Sequence, residues 1–458
     1  MASLRLAALF AALTMLASSR PAEAQVVVPS EWNTGNGNWN VAGNWFPNDV
    51  PDDGGGFTYD VQIGNRPVAA GAGVFFIPED GTGDTVSSLS ISGAADLFTN
   101  GFQVFVMGQT TVSGVGSTIR IDQHATPGAF SLDTDDLDLN GGGSIQMNGG
   151  IVNVDVLLEI NVAGQIQGNG VVDVGDGDAV VEQALENSGA IRPTSGTSTP
   201  QTLTIQTNGV DTIDLDGDTE TGVVDADDVS ANVNADTLTL VIDAPLSDAF
   251  SGTLQIGQRD TVTFVRNFTL SGADVAMNGG AQVATLNGAG DATSIAASAF
   301  TIAGSATIAN DMTFVGTANT VTTANGSTLT LSGTVAVADA SMFVFGQNSF
   351  FVVSAATTII EGTGDFNWDG GGAVTTTVQG AGHLSILVDQ IDNNATDSFN
   401  GTVNLNDDGD VTVNNLAGSW DLVGALNKNG AGTSVVSGDR VVVTGDINVS
   451  AGTLDMPA

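Results

Sequence analysis

The sequence predicts an all-β fold, a parallel right-handed β-helix (β-solenoid) with an N-terminal aromatic cap, and three observations carry that prediction. A strand-turn-strand-turn-strand unit occurs twice, over residues 237–270 and again over 383–413. In both units Phe, a small polar residue, Gly and Thr open the middle strand: Phe250-Ser251-Gly252-Thr253 and Phe399-Asn400-Gly401-Thr402. Short runs that alternate apolar residues with Thr, Asn or Asp recur throughout, as at 117–121, 151–154 and 328–331. That period of two belongs to a strand with one buried face. Between the runs lie many of the 60 Gly and frequent Asn-Gly steps, residues that tolerate the positive φ of tight turns.

Tandem β-sandwiches fit the same pattern if the Asn-Gly steps close antiparallel hairpins. The β-helix is favoured because segments such as 264–286 pass from strand to strand with no hairpin-length partner. At about 20 to 25 residues per coil and about 4.8 Å of rise, the chain would form a rod on the order of 90 Å long.

Residues 1–24 read as a secretory signal peptide. Arg5 precedes an apolar run over 6–17, and Ala22-Glu23-Ala24 fits a small-residue cleavage site. The run is too short to span a bilayer, and no later stretch has the length and apolarity of a membrane helix. The expected location is therefore secreted or cell-surface. Residues 25–65 form a Trp-rich cap segment, with Trp32, Trp39 and Trp45 set among Asn33, Asn36, Asn38, Asn40 and Asn44. Bulky rings close the exposed core and strand edges at a solenoid end. Trp rings flanked by amides also stack on pyranose faces, which makes Trp32, Trp39 and Trp45 glycan-binding candidates.

Residues 66–192 read as the first part of the solenoid, and 193–200 as a Pro/Ser/Thr-rich loop whose prolines interrupt a ladder. Residues 201–458 are the second part and contain the duplicated unit. The last strands run almost to Ala458 with no aromatic plug. An uncovered coil offers unpaired backbone, which predicts end-to-end self-association or a continuation beyond Ala458.

The formal net charge is −42, from 51 acidic and 9 basic residues. Such a surface repels nucleic acid and anionic lipid and attracts cations. Only 8 of the acidic residues are Glu, so the acid is mostly Asp and belongs to turns rather than helix faces. No Cys is present, which excludes disulfides and thiol catalysis. A mean hydropathy of +0.18 points to a continuous core rather than disorder.

The sharpest chemical candidate is the segment from Asp214 to Asp228. Asp214, Asp216, Asp218, Asp225 and Asp228 supply the hard oxygens that calcium takes. Thr219-Glu220-Thr221 separate Asp218 from Gly222, whereas a calcium loop places Gly directly after its third acidic position. The same residues also read as two strands joined by an acidic turn. Calcium is thus the one cofactor the sequence offers, and none is required. Further acidic clusters lie at 133–138 and 173–178; Arg120 and Asp122 share a strand face, as an ion pair or a catalytic couple. His124 and His383 stand alone. No nucleophile elbow, phosphate loop or dinucleotide fingerprint is present.

The segment from Gly37-Asn38-Trp39 through Gly43-Asn44-Trp45 to Pro51-Asp52 resembles the start of large secreted repeat proteins of environmental bacteria. Asn187-Ser188-Gly189-Ala190-Ile191-Arg192-Pro193, followed by Leu203-Thr204-Ile205, is similar to a repeat of autotransporter passenger domains and related bacterial surface β-solenoids. The resemblance implies a parallel solenoid displayed at the cell surface, with extracellular polysaccharide or protein as partner. The expected function is a non-catalytic structural or adhesive protein. The alternatives are a β-helical polysaccharide lyase or hydrolase, and a glycan-binding module.

Overall fold

The structure, a computed structural model of the 458-residue chain, describes residues 26–456 apart from a number of loops and links. The longer of these are 52–56, 67–70, 78–83, 194–200, 218–221, 227–236, 289–292, 338–341, 346–349, 368–374, 392–401 and 406–410, and side chains are not described over 331–425. The signal-peptide segment 1–24 and most of the loop 193–200 therefore lie outside the described residues. Among the described residues, every regular element is a strand except one short 3-10 turn, Ala42–Asn44.

The strands stack in parallel into three ladders, and the chain visits them in a fixed cycle. One coil makes this plain: Thr118–Asp122 lies in the first ladder, then Leu132–Asn140 contributes to the second and third before Ser144–Ile160 returns to the first. Register pairs Thr118 with Ser144, Leu132 with Val152 and Leu137 with Leu158. Parallel strands need a crossover between partners, and here the other two sides of the coil supply it. The all-β solenoid reading stands, and the antiparallel pairing of tandem sandwiches is replaced by parallel ladders. Among the described residues the exception is at the N-terminal end, where Trp45–Phe46 pairs antiparallel with Glu31 and Trp32 of the strand Val26–Trp32.

Burial explains why the register holds. Leu97, Ile119, Ile145, Ile166, Ile191, Val224, Leu254, Val275, Phe300 and Val321 form one in-register row of the first ladder, and all are buried. A slip of one residue would turn the row outward, at about 1.5–3 kcal/mol for each large side chain exposed. The ladders also continue past the Pro-rich segment: Pro193 is buried and pairs with Gly168, and Gln201–Thr207 stacks on residues 170–174.

The two occurrences of the repeated unit adopt the same plan. Leu238–Asp243, Thr253–Ile256 and Thr261–Phe264 correspond to His383–Ile391, Thr402–Leu405 and Val411–Leu422. Each unit is one coil plus the next strand of its starting side, since Thr239 pairs with Thr261, and Leu384 with Val411.

Coil length varies in one place that matters. Thr253 to Asp274 is a coil of 21 residues, but Ala190 to Val223 takes 33 and Val223 to Thr253 takes 30. The extra residues of the first long coil include the acidic segment.

Candidate metal centre

The acidic segment turns a corner between two ladders. Thr212–Asp214 stacks on Gln183–Asn187, whereas Val223–Ala226 stacks on Ala190–Pro193. The two flanking strands thus belong to different sides of the coil and make no hairpin. Tight backbone packing holds the corner. Asn187, fully buried in the coil before, donates its side-chain N–H to the Leu215 carbonyl at 2.8 Å and accepts the Gly189 N–H at 3.2 Å. The Gly222 N–H donates to the Asp216 carbonyl at 3.1 Å. A Cβ on Gly222 would fall 2.2 Å from the Asn187 carbonyl oxygen. Gly217 has φ +66°, and a Cβ there would lie 2.3 Å from Ser188 Oγ.

Within this corner Asp214 Oδ1 accepts the backbone N–H groups of Asp216, at 3.0 Å, and Gly217, at 2.7 Å. This Asx turn is why Asp suits the position. Asp216 reaches to the next coil, where its Oδ2 accepts the Ser251 N–H at 2.7 Å and the Ser251 hydroxyl. Its other oxygen, Oδ1, is buried and has no hydrogen-bond partner. Asp248, three residues before Ser251, completes a triad: Asp214, Asp216 and Asp248 each bring a carboxylate oxygen within 4.8 Å of the others. Asp214 and Asp216 are buried and Asp248 is exposed. Burial pushes the Asp216 carboxyl above the usual carboxylate range; the Ser251 bonds oppose that shift and the neighbouring Asp214 adds to it. Three convergent carboxylates of this kind could hold a metal ion.

The sequence-predicted ligands divide accordingly. Asp214 and Asp216 are in the triad. Asp225 is not: it pairs with Arg192 at 3.2 Å on the first ladder. Asp218 and Asp228 lie outside the described residues. Asp248 was missed, because it is remote in sequence and joins through the coil-to-coil bridge Ile213 to Leu246. Its one signal was its place at the start of the repeated 248–256 segment, where a turn Asp meets the preceding coil.

The tryptophan candidates are placed differently from a sugar platform. Trp32, Trp39 and Trp45 are each 0% exposed. Trp45 meets Trp32 and Trp39 edge-on at 4.9 and 4.8 Å between centroids, and Trp39 meets Phe76 at 5.1 Å. Their indole N–H groups are spent on the carbonyls of Gly35, Pro51 and Trp39. With the ring faces covered, a pyranose could stack on them only by displacing core contacts.

Among the described residues, other acidic groups stand in register along the ladders. Asp138, Glu159 and Glu186 are stacked in register on the third ladder and lead to Asp214. Asp133, Asn153 and Asp173 form a row on the second, where Asn153 donates to Asp133 at 2.9 Å and to Asp155 at 2.7 Å. Arg120 pairs with Asp96 of the preceding coil at 3.2 Å and covers Phe98, while Asp122 accepts from Asn148. The expected couple with Asp122 on the same strand does not form. A shallow depression of about 440 Å³ beside Ser188 and Gly189 is lined chiefly by small and apolar residues such as Val162, Ala163 and Val223.

No protein-family model matches the chain, and no curated protein matches it.

Proposed function

We propose that the chain is an exported, non-catalytic β-solenoid that serves as a structural or adhesive element at a bacterial cell surface, with calcium as the cation its acidic surface takes up. The observation that carries this reading is the in-register row from Leu97 to Val321, all buried, behind outward rows of Thr, Asn, Gln and Asp. That arrangement builds a long, regular polar surface rather than a pocket. A catalytic groove would gather paired carboxylates with a basic group. Here Arg66, Arg120, Arg192 and Arg266 each pair with a single carboxylate on the outer face. The N-terminal signal pattern supports export, and the resemblance to surface solenoids supports display.

The test is to express the full chain in a Gram-negative host, fractionate the cells and sequence the mature N-terminus. The expected product starts at Gln25, scatters X-rays as a rod on the order of 90 Å long, and releases no reducing ends or unsaturated sugars from a polysaccharide panel. Retention in the cytoplasm with residues 1–24 attached, or turnover of any polysaccharide, would overturn the reading.

A further inference from the structure

We infer that Asp214, Asp216 and Asp248 bind one calcium ion, which staples two long consecutive coils of the solenoid together at their shared corner. The inference keeps the choice of calcium from the proposed function, and in place of a diffuse acidic surface it names a single site with three ligands.

Clustered acid alone would not carry it. The second observation is Asp216 Oδ1. The residue is 3% exposed, Oδ1 has no hydrogen-bond partner, and its twin Oδ2 is fixed by Ser251. A buried, unpartnered carboxylate oxygen is costly, because water has been removed and nothing has replaced it. A cation removes both penalties, desolvation and mutual repulsion. Packing of the corner also prevents relief by movement: Asn187 and Gly222 hold the chain on either side of Asp216, and Ser251 holds its side chain.

The separation fits the ion. Oxygens within 4.8 Å of one another can sit on one Ca²⁺ at about 2.4 Å each, with waters on the side left open by exposed Asp248. Magnesium demands about 2.1 Å and near-octahedral geometry, and sheds its own water reluctantly. The site draws Asp214 and Asp216 from the coil running from Ala190 to Val223, and Asp248 from the coil running from Val223 to Thr253. These coils take 33 and 30 residues, against 21 from Thr253 to Asp274, so a cross-link between them closes long loops.

The experiment uses the full mature chain, freed of metal and titrated with CaCl₂ in 150 mM NaCl by calorimetry, with hydrogen exchange read with and without the ion. Expected is one saturable site per chain, at least tenfold tighter for Ca²⁺ than for Mg²⁺. Amide exchange should slow over 212–217 and 248–253 and stay unchanged in coils near Ile119. Asp248→Asn, an exposed substitution that leaves the corner packing intact, should weaken Ca²⁺ by tenfold or more; Asp138→Asn should leave it unchanged. No saturable site, equal binding of Mg²⁺, or an unchanged affinity in Asp248→Asn would overturn the inference. Export and the absence of polysaccharide turnover are read separately, so an inert exported rod without this site would sink the staple and leave the proposed function standing, and the reverse also holds.

Discussion

Asn187 donates its side-chain N–H to the carbonyl oxygen of Leu215, 2.8 Å away and one coil further along, and both residues are buried. This bond fixes the chain where it turns from the third ladder to the first, directly before Asp216. Replacing Asn187 with Ala leaves the carbonyl unpaired in the interior, at a cost of about 1–3 kcal/mol. Since coils contact mainly their neighbours, exchange should rise over 185–225 while coils near the N-terminal cap keep their protection. Uniform loss of protection along the chain would contradict the nearest-neighbour picture.

Glu159 makes the fold pH-sensitive. A shared hydrogen bond with Asp138, burial and the charges of Asp138, Glu186 and Asp136 push its carboxyl up to about 7, from an ordinary 4.5. A raised acid binds more protons in the folded state than in the unfolded state across that interval. Stability from this group is therefore greatest below about 4.5 and is lost as pH rises to about 7. Burial acts first on Asp133 and Asp173, and their shifts have the same sign. The melting temperature of the wild type should fall between pH 5 and pH 8, and Glu159→Gln should flatten that fall. A melting temperature that rises over the interval would refute the assignment.

Trp45 sits at the centre of the aromatic cluster, touching Trp32 on one side and Trp39 on the other. Trp45→Ala should cost about 3–5 kcal/mol, in the range of large core truncations. Limited proteolysis should then cut within 26–63 first, leaving a resistant fragment that begins further along the chain. Loss of sugar binding with no change in stability would instead restore the three rings as a glycan platform.

Gly222 offers a steric test of the corner. Its missing Cβ is what lets it approach the carbonyl oxygen of Asn187, since that atom would lie 2.2 Å away. Gly222→Ala should destabilise by about 1–3 kcal/mol, as over-packing does, and weaken Ca²⁺ binding in the same variant. Gly43→Ala, where nothing lies within 4 Å of the added carbon, is the control and should do neither.

The candidate site was half legible. Asp214 and Asp216 stand out because alternate Asp residues beside Gly mark an oxygen-rich turn. Asp225, two residues after that turn resumes as strand, looked equivalent in sequence yet faces Arg192 on another side of the coil. Beyond its place in the repeated 248–256 segment, Asp248 carried no signal as a ligand, because its proximity depends on how many residues the intervening loops consume. The Trp cluster was legible as a concentration of apolar volume, but only packing decides whether such rings show their faces or cover one another.

The sequence by itself determined the strand period, the turn positions and the side of each strand that is buried. Those are local properties: Ile119 and Ile121 alternate with Arg120 and Asp122, and that alternation dictates which face meets the core. Only the tertiary structure decided which coil lies on which, and so which carboxylates converge. Coil register is set by the summed burial of many rows at once, and 33 residues between Ala190 and Val223 fold to the same stacked pair as 21 between Thr253 and Asp274. Sequence separation therefore says little about contact in this fold, and the meeting of Asp216 with Ser251 and Asp248 follows from stacking alone.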